Sequence, residues 1–119
     1  MKVIEIEDYV KKENPTPGKT FRSDLVTSED KAKEVGGMFA ILAPGTQVPY
    51  HYHEKRESII MLISGEAIEI LEGKEIPVKA GDVLFIPAIE KHAIVNRSNK
   101  EVRYIEFWTP APHDFVEVK

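Results

Sequence analysis

Residues 45–65 read Gly45-Thr46-Gln47-Val48-Pro49-Tyr50-His51-Tyr52-His53-Glu54-Lys55-Arg56-Glu57-Ser58-Ile59-Ile60-Met61-Leu62-Ile63-Ser64-Gly65. On an extended chain side chains alternate between faces, so His51 and His53 project side by side. A polar turn, Glu54-Lys55-Arg56, follows. The unbroken apolar run Ile59 to Ile63 then suits a strand buried on both faces.

The same strand pattern continues on both sides of this stretch. Met38 to Ala43 is an apolar run closed by the turn pair Pro44-Gly45. Ala67 to Leu71 and Lys74 to Val78 flank Glu72-Gly73, a hairpin signal. Val83 to Ile86 stops at Pro87, and His92 to Asn96 and Val102 to Trp108 complete the series. Toward the N-terminus, Val3, Ile4 and Ile6 give a short alternation that suits an edge strand. Residues 11–18 read as loop, and Ser28 to Glu34 as one helical turn stopped by Gly36-Gly37. Roughly eight strands at about ten-residue spacing, with no long helix, predict an all-β sandwich or barrel.

Composition narrows the function classes. The chain has 119 residues, enough for one domain, and 42% apolar content, enough for one core. It has no cysteine, which excludes disulfides, thiolate metal sites and a cysteine nucleophile. Lys and Arg number 16 against 20 Asp and Glu, a net charge of −4. With no basic block, nucleic acid is not the expected partner. No apolar run is long enough to cross a bilayer, and the N-terminus lacks the apolar core of a signal peptide. The expected setting is therefore cytoplasmic and away from membranes.

The chemistry-bearing residues are His51, His53, Glu57 and His92. Two histidines from one strand, a carboxylate from the next and a third histidine from a distant strand make a plausible first shell for a divalent transition metal. Imidazole suits Fe, Mn, Ni, Cu and Zn, and one carboxylate offsets part of the dication's charge. Four protein ligands on an octahedral ion leave positions open for water or substrate. His113 fits no such pattern and is expected on a surface loop.

The spacing Gly45-x5-His51-x-His53-x3-Glu57-x7-Gly65 resembles the first motif of the cupin superfamily, and Gly81-x5-Pro87-x4-His92-x3-Asn96 resembles its second. The resemblance implies a jelly-roll β-barrel, a double-stranded β-helix, usually a homodimer, with His51, His53, Glu57 and His92 as ligands of one metal. It divides the chain into an N-terminal strand and loop extension (1–36), a cupin barrel (37–109) and a C-terminal tail (110–119). Two positions depart from the pattern. The carboxylate usually stands one residue nearer the following glycine, where this chain has Ser58. The family usually has glycine where this chain has Ile89, so a different backbone path is expected between Pro87 and His92.

The same-face rule makes Gln47, Met61 and Asn96 candidate pocket residues beside the metal, in a mostly apolar lining. The four arginines, Arg22, Arg56, Arg97 and Arg103, form no cluster near the motifs, which counts against a phosphorylated substrate. Three function classes stay open. One is a small metal-dependent enzyme (dioxygenase, decarboxylase, isomerase or lyase) acting on a small organic molecule. The second is a non-catalytic ligand-binding or sensor module, and the third a metal-stabilised structural or storage barrel. A homodimer is expected in each case, with residues 1–10 as a candidate for pairing between subunits.

Overall fold

The computed structural model describes residues 1–119. The elements run α1 (Ile6–Val10), β1 (Phe21–Val26), a 3-10 turn (Ser28–Asp30), β2 (Gly36–Leu42), β3 (His51–Tyr52), β4 (Glu57–Ser64), β5 (Glu66–Leu71), β6 (Lys74–Lys79), β7 (Val83–Ile86), β8 (His92–Val95), β9 (Val102–Thr109) and β10 (Val116–Glu117). Two five-stranded sheets face each other, ordered β1-β2-β9-β4-β7 and β10-β3-β8-β5-β6. Every pairing is antiparallel. This is the jelly-roll arrangement expected from the sequence. No helix is long and apolar enough to cross a membrane.

Alternation on β2, β4 and β9 explains why their apolar runs are continuous. Ala40, Leu42, Ile60, Leu62, Val102 and Tyr104 point between the sheets. There they meet Val48, Ala67, Val78 and Ile94 of the opposite layer. The intervening Phe39, Ile41 and Ile105 point outward, where Leu25 and the partly buried Ile4, Tyr9 and Phe21 cover them. Burying each such side chain stabilises the fold by roughly 1.5–3 kcal/mol.

The N-terminal residues differ from expectation. Residues 6–10 form α1 rather than an edge strand, with Tyr9 packed 4.9 Å from Phe39, so they shield one sheet's own outer face. Within the expected extension, β1 pairs along β2 and belongs to the sheet. Within the expected tail, β10 pairs with β3. Gly36 and Gly37 open β2 instead of stopping a helix. A Cβ on Gly36 would lie 2.5 Å from the Trp108 ring, and one on Gly37 would lie 2.6 Å from the Phe107 ring. Glu72 and Gly73 both have positive φ, 47° and 80°, which closes the tight β5–β6 hairpin.

Ile89 has φ 76°. The loop therefore takes, at Ile89, the left-handed conformation that glycine favours, with a β-branched residue in it. Such a residue is strained in this region. The conformation lets the Ile89 N–H donate to the His53 carbonyl at 2.7 Å, which ties the loop to a site residue.

Candidate metal centre

Backbone register alone brings three imidazoles together. His51 and His92 are directly opposed on β3 and β8, and His53 follows two residues along on the same face. The ring centroids lie 4.3 Å (His51–His92), 4.9 Å (His51–His53) and 5.8 Å (His53–His92) apart. All three residues are buried.

The hydrogen bonds fix which nitrogen faces inward. His51 Nδ1 donates to the Pro49 carbonyl at 2.6 Å. His53 Nδ1 donates to the Asp114 carbonyl. His92 Nδ1 donates to Glu69 Oε1 at 2.8 Å. Carbonyls only accept, so in neutral His51 and His53 the proton sits on Nδ1 and the Nε2 lone pair is free; in His92 the same holds while Glu69 is ionised. The buried His92 Nε2 has no partner at all. One ligand atom from each ring lies within 4.8 Å of the others, so the trio could hold a metal ion.

Electrostatics favour the neutral form of His51 and His53. Burial, followed by the neighbouring His92 and His53, pulls the His51 pKa down to about 3 against the Pro49 hydrogen bond. Burial lowers His53 as well. Glu69 is diagonal to His92 across the β5–β8 pair. Burial raises its carboxyl above the ordinary range. Carboxylates that orient a ligating imidazole in this way tune metal sites generally.

The C-terminal segment roofs the cluster. Phe115 stacks on His51 with centroids 4.2 Å apart and planes at 20°. The Asp114 carboxylate accepts three backbone N–H bonds, from Glu54 (2.8 Å), Lys55 (2.7 Å) and Arg56 (3.0 Å). It thereby clamps the turn after His53. Burial alone would raise the Asp114 carboxyl, but these donors overcome that and hold it below the usual range.

The other candidates named from sequence lie elsewhere. Glu57 is exposed and lines a shallow outer groove with Ile59, Phe85 and Phe107, apart from the histidines. On β4 the inward positions are Ser58, Ile60 and Leu62, so a one-residue difference in register reverses the face. Met61, on the same outward face, packs against the outer cluster. Gln47 is exposed and bridges Val95. Asn96 is buried but spends its amide on the carbonyls of Leu42 (2.9 Å) and Lys100 (2.7 Å), tying two loops together.

The cavity beside the histidines has a volume of about 220 Å³. Its apolar wall includes Val48, Ile60 and Ile94. Its polar wall comes from residues the sequence did not point to: Arg22, Arg56, Tyr104, Glu106 and His113. Burial raises the Glu106 carboxyl and the Tyr104 phenol. His113 is an exposed loop residue, as expected, yet it lies at this mouth. Alternation along β9, with Ile105 and Phe107 outward, is the signal that could have placed Tyr104 and Glu106 inside.

Comparison with known proteins places this geometry. The Cupin domain family model matches residues 38–108. A curated relative, the oxalate-binding protein of Thermotoga maritima, is 38% identical over 64 residues, 54% of this chain and 53% of that protein. The match spans about half the length of this relative and of two polyketide synthase relatives. Two solved structures share the fold over the whole chain. An uncharacterized conserved protein with a double-stranded beta-helix domain from Klebsiella pneumoniae has a TM-score of 0.82 at 19% identity, covering 100% of this chain and 98% of that one. The polyketide cyclase RemF from Streptomyces resistomycificus has a TM-score of 0.80 at 24% identity, covering 100% and 86%.

Proposed function

This chain belongs to the Cupin domain family, and from that premise we propose that it is a small metal-dependent enzyme. His51, His53 and His92 would hold one divalent transition metal beside the cavity in which a small organic molecule would bind. The observation that carries this reading is the set of three Nδ1–H hydrogen bonds that leaves three Nε2 lone pairs facing one point. Three imidazoles suit Fe, Mn, Ni, Cu or Zn, and a bound metal would supply Lewis-acid polarisation of a substrate oxygen. The chain's own residues orient the imidazoles and exclude bulk water. Glu106, a buried carboxyl held above its ordinary pKa by desolvation, is suited to carry a proton at the cavity wall.

Elemental analysis of untagged protein after reconstitution tests the metal. We expect about one ion per chain, abolished by His53→Ala with the barrel still folded. Far less metal in the reconstituted wild type defeats the reading. The oxalate-binding relative supports a second reading, ligand capture without turnover. Oxalate recovered unchanged after long incubation with metal-loaded protein, together with saturable binding, favours that alternative.

We place the expected homodimer contact on the outer face of β4 and β7. Val83 and Phe85 are 64% and 58% exposed there, beside the exposed Ile59, and β7 is a sheet edge. Contiguous exposed apolar side chains mark association surfaces. Light scattering checks this: Phe85→Lys is expected to convert a dimer to a monomer, and a monomeric wild type overturns it.

A further inference from the structure

The four arginines fall into two pairs. Arg97 pairs with Glu75 at 2.6 Å and Arg103 with Glu101 at 3.1 Å, both on the outer surface. Arg22 and Arg56 make no ion pair, and both line the cavity beside the histidines. Arg56 is half-buried and its Nε is a buried donor with no partner. Leaving a charged donor in that state costs more than leaving a neutral one, so native structures rarely do so without a ligand or water to accept.

Arg56 is also held in advance. Its backbone N–H donates to Asp114, and its guanidinium lies 4.5 Å above the Trp108 ring. Trp108 in turn rests on Gly36, where any Cβ would collide with the ring, and its Nε1–H donates to the Ala111 carbonyl at 3.3 Å. A guanidinium stacked on an indole keeps its edge free, and that edge is a fork of donors matched to a planar carboxylate. The cavity of about 220 Å³ holds roughly seven water volumes. That is room for a small acid.

We propose that Arg56, assisted by Arg22, is the carboxylate anchor of this pocket, and that the ligand is a small organic acid presenting a second oxygen toward the three histidines. This rests on the metal reading for the second oxygen but not for the anchor. Glu106 faces the same cavity. It restricts the site to acids that leave room for a carboxyl opposite, and two guanidiniums against one carboxyl leave the pocket attractive to anions.

The test uses the full chain with oxalate as probe, oxamide as its neutral counterpart and inorganic phosphate as a tetrahedral anion. Trp108 is the sole tryptophan, so its fluorescence reports on the anchor itself. The visible spectrum of Co²⁺-loaded protein reports separately on the metal. Oxalate is expected to shift the fluorescence saturably, and oxamide is not. Arg56→Leu is expected to weaken oxalate binding about tenfold or more with Co²⁺ affinity unchanged, and Arg56→Lys, which keeps the charge but not the fork, to lie between. If Arg56→Leu does not fold, Arg56→Lys and the oxamide comparison still decide. Equal binding of oxalate and oxamide, tighter binding of phosphate, or undiminished oxalate binding by Arg56→Lys and Arg56→Leu overturns the anchor. A wild type that takes up no Co²⁺ but keeps its oxalate-dependent fluorescence supports the anchor while defeating the metal reading.

Discussion

The segment before β1 and the segment after β9 both lie against the barrel, on opposite sides and with different chemistry. Residues 1–20 lay Ile4 and Tyr9 against the outer cluster around Phe39, an apolar seal. Residues 110–119 bring Asp114 and Phe115 onto His53 and His51 through hydrogen bonds and ring stacking. An apolar seal acts through area and tolerates exchange of one hydrophobe for another. The polar roof acts through direction: one carbonyl sets a tautomer and one carboxylate clamps a turn. The two segments should therefore separate stability from metal binding.

The largest effect is expected at the roof. Asp114→Ala leaves the Glu54, Lys55 and Arg56 N–H groups unclamped and should weaken Co²⁺ binding about 10- to 100-fold, measured against a chromophoric chelator. Next in size, Tyr9→Ala should cost about 1–2 kcal/mol and lower the melting temperature by several degrees without moving metal affinity. If Tyr9→Ala alters Co²⁺ affinity as strongly as Asp114→Ala does, the division of labour fails.

Acid provides a third, smaller probe. The folded-state pKa of His51 lies near 3, below its ordinary 6.5, so the unfolded chain takes up the proton first. Its contribution to the stability of the metal-free protein is then complete above about pH 6.5 and is lost as pH falls from there toward 3. Asp114, also depressed, adds a loss at lower pH, below its ordinary 3.8. Acid titration should perturb Trp108 fluorescence on the pocket side before the Tyr9–Phe39 contact yields. The reverse order would show that the seal, not the roof, is the acid-sensitive side.

The smallest effect is a gain. Ile89→Gly relieves a left-handed β-branched residue and should stabilise by about 1 kcal/mol, seen as a rise in melting temperature. A fall would mean that the Ile89 side chain contributes more than its backbone strain costs.

How much of this was legible in the sequence follows from where each residue sits. His51, His53 and His92 share one face through the two-residue period and a recognisable spacing, so the trio could be read directly. Glu57 could not be registered, because the turn at 54–56 hides where alternation restarts and a single residue reverses the outcome. Glu69 was hidden by its neighbours: Ile68 and Ile70 look like the core positions of β5, yet Glu69 is the buried one. A charged residue facing a core is a local conflict that functional sites tolerate. Arg22 and Asp114 come from β1 and the C-terminal segment, outside both motifs. Only the closing of the barrel brings them to the pocket, and no local pattern records that.

The roof also has a consequence for the order of events in the making of this protein. Residues 113–115 leave the ribosome after every histidine of the cluster and after all the strands that carry them. Until they do, His53 lacks its Asp114 acceptor. Of the three imidazoles only His53 waits on this segment for its hydrogen-bond partner, which arrives as β10 docks against β3. The acceptor that sets the His53 tautomer is thus the last of the cluster's hydrogen-bond partners to be synthesised.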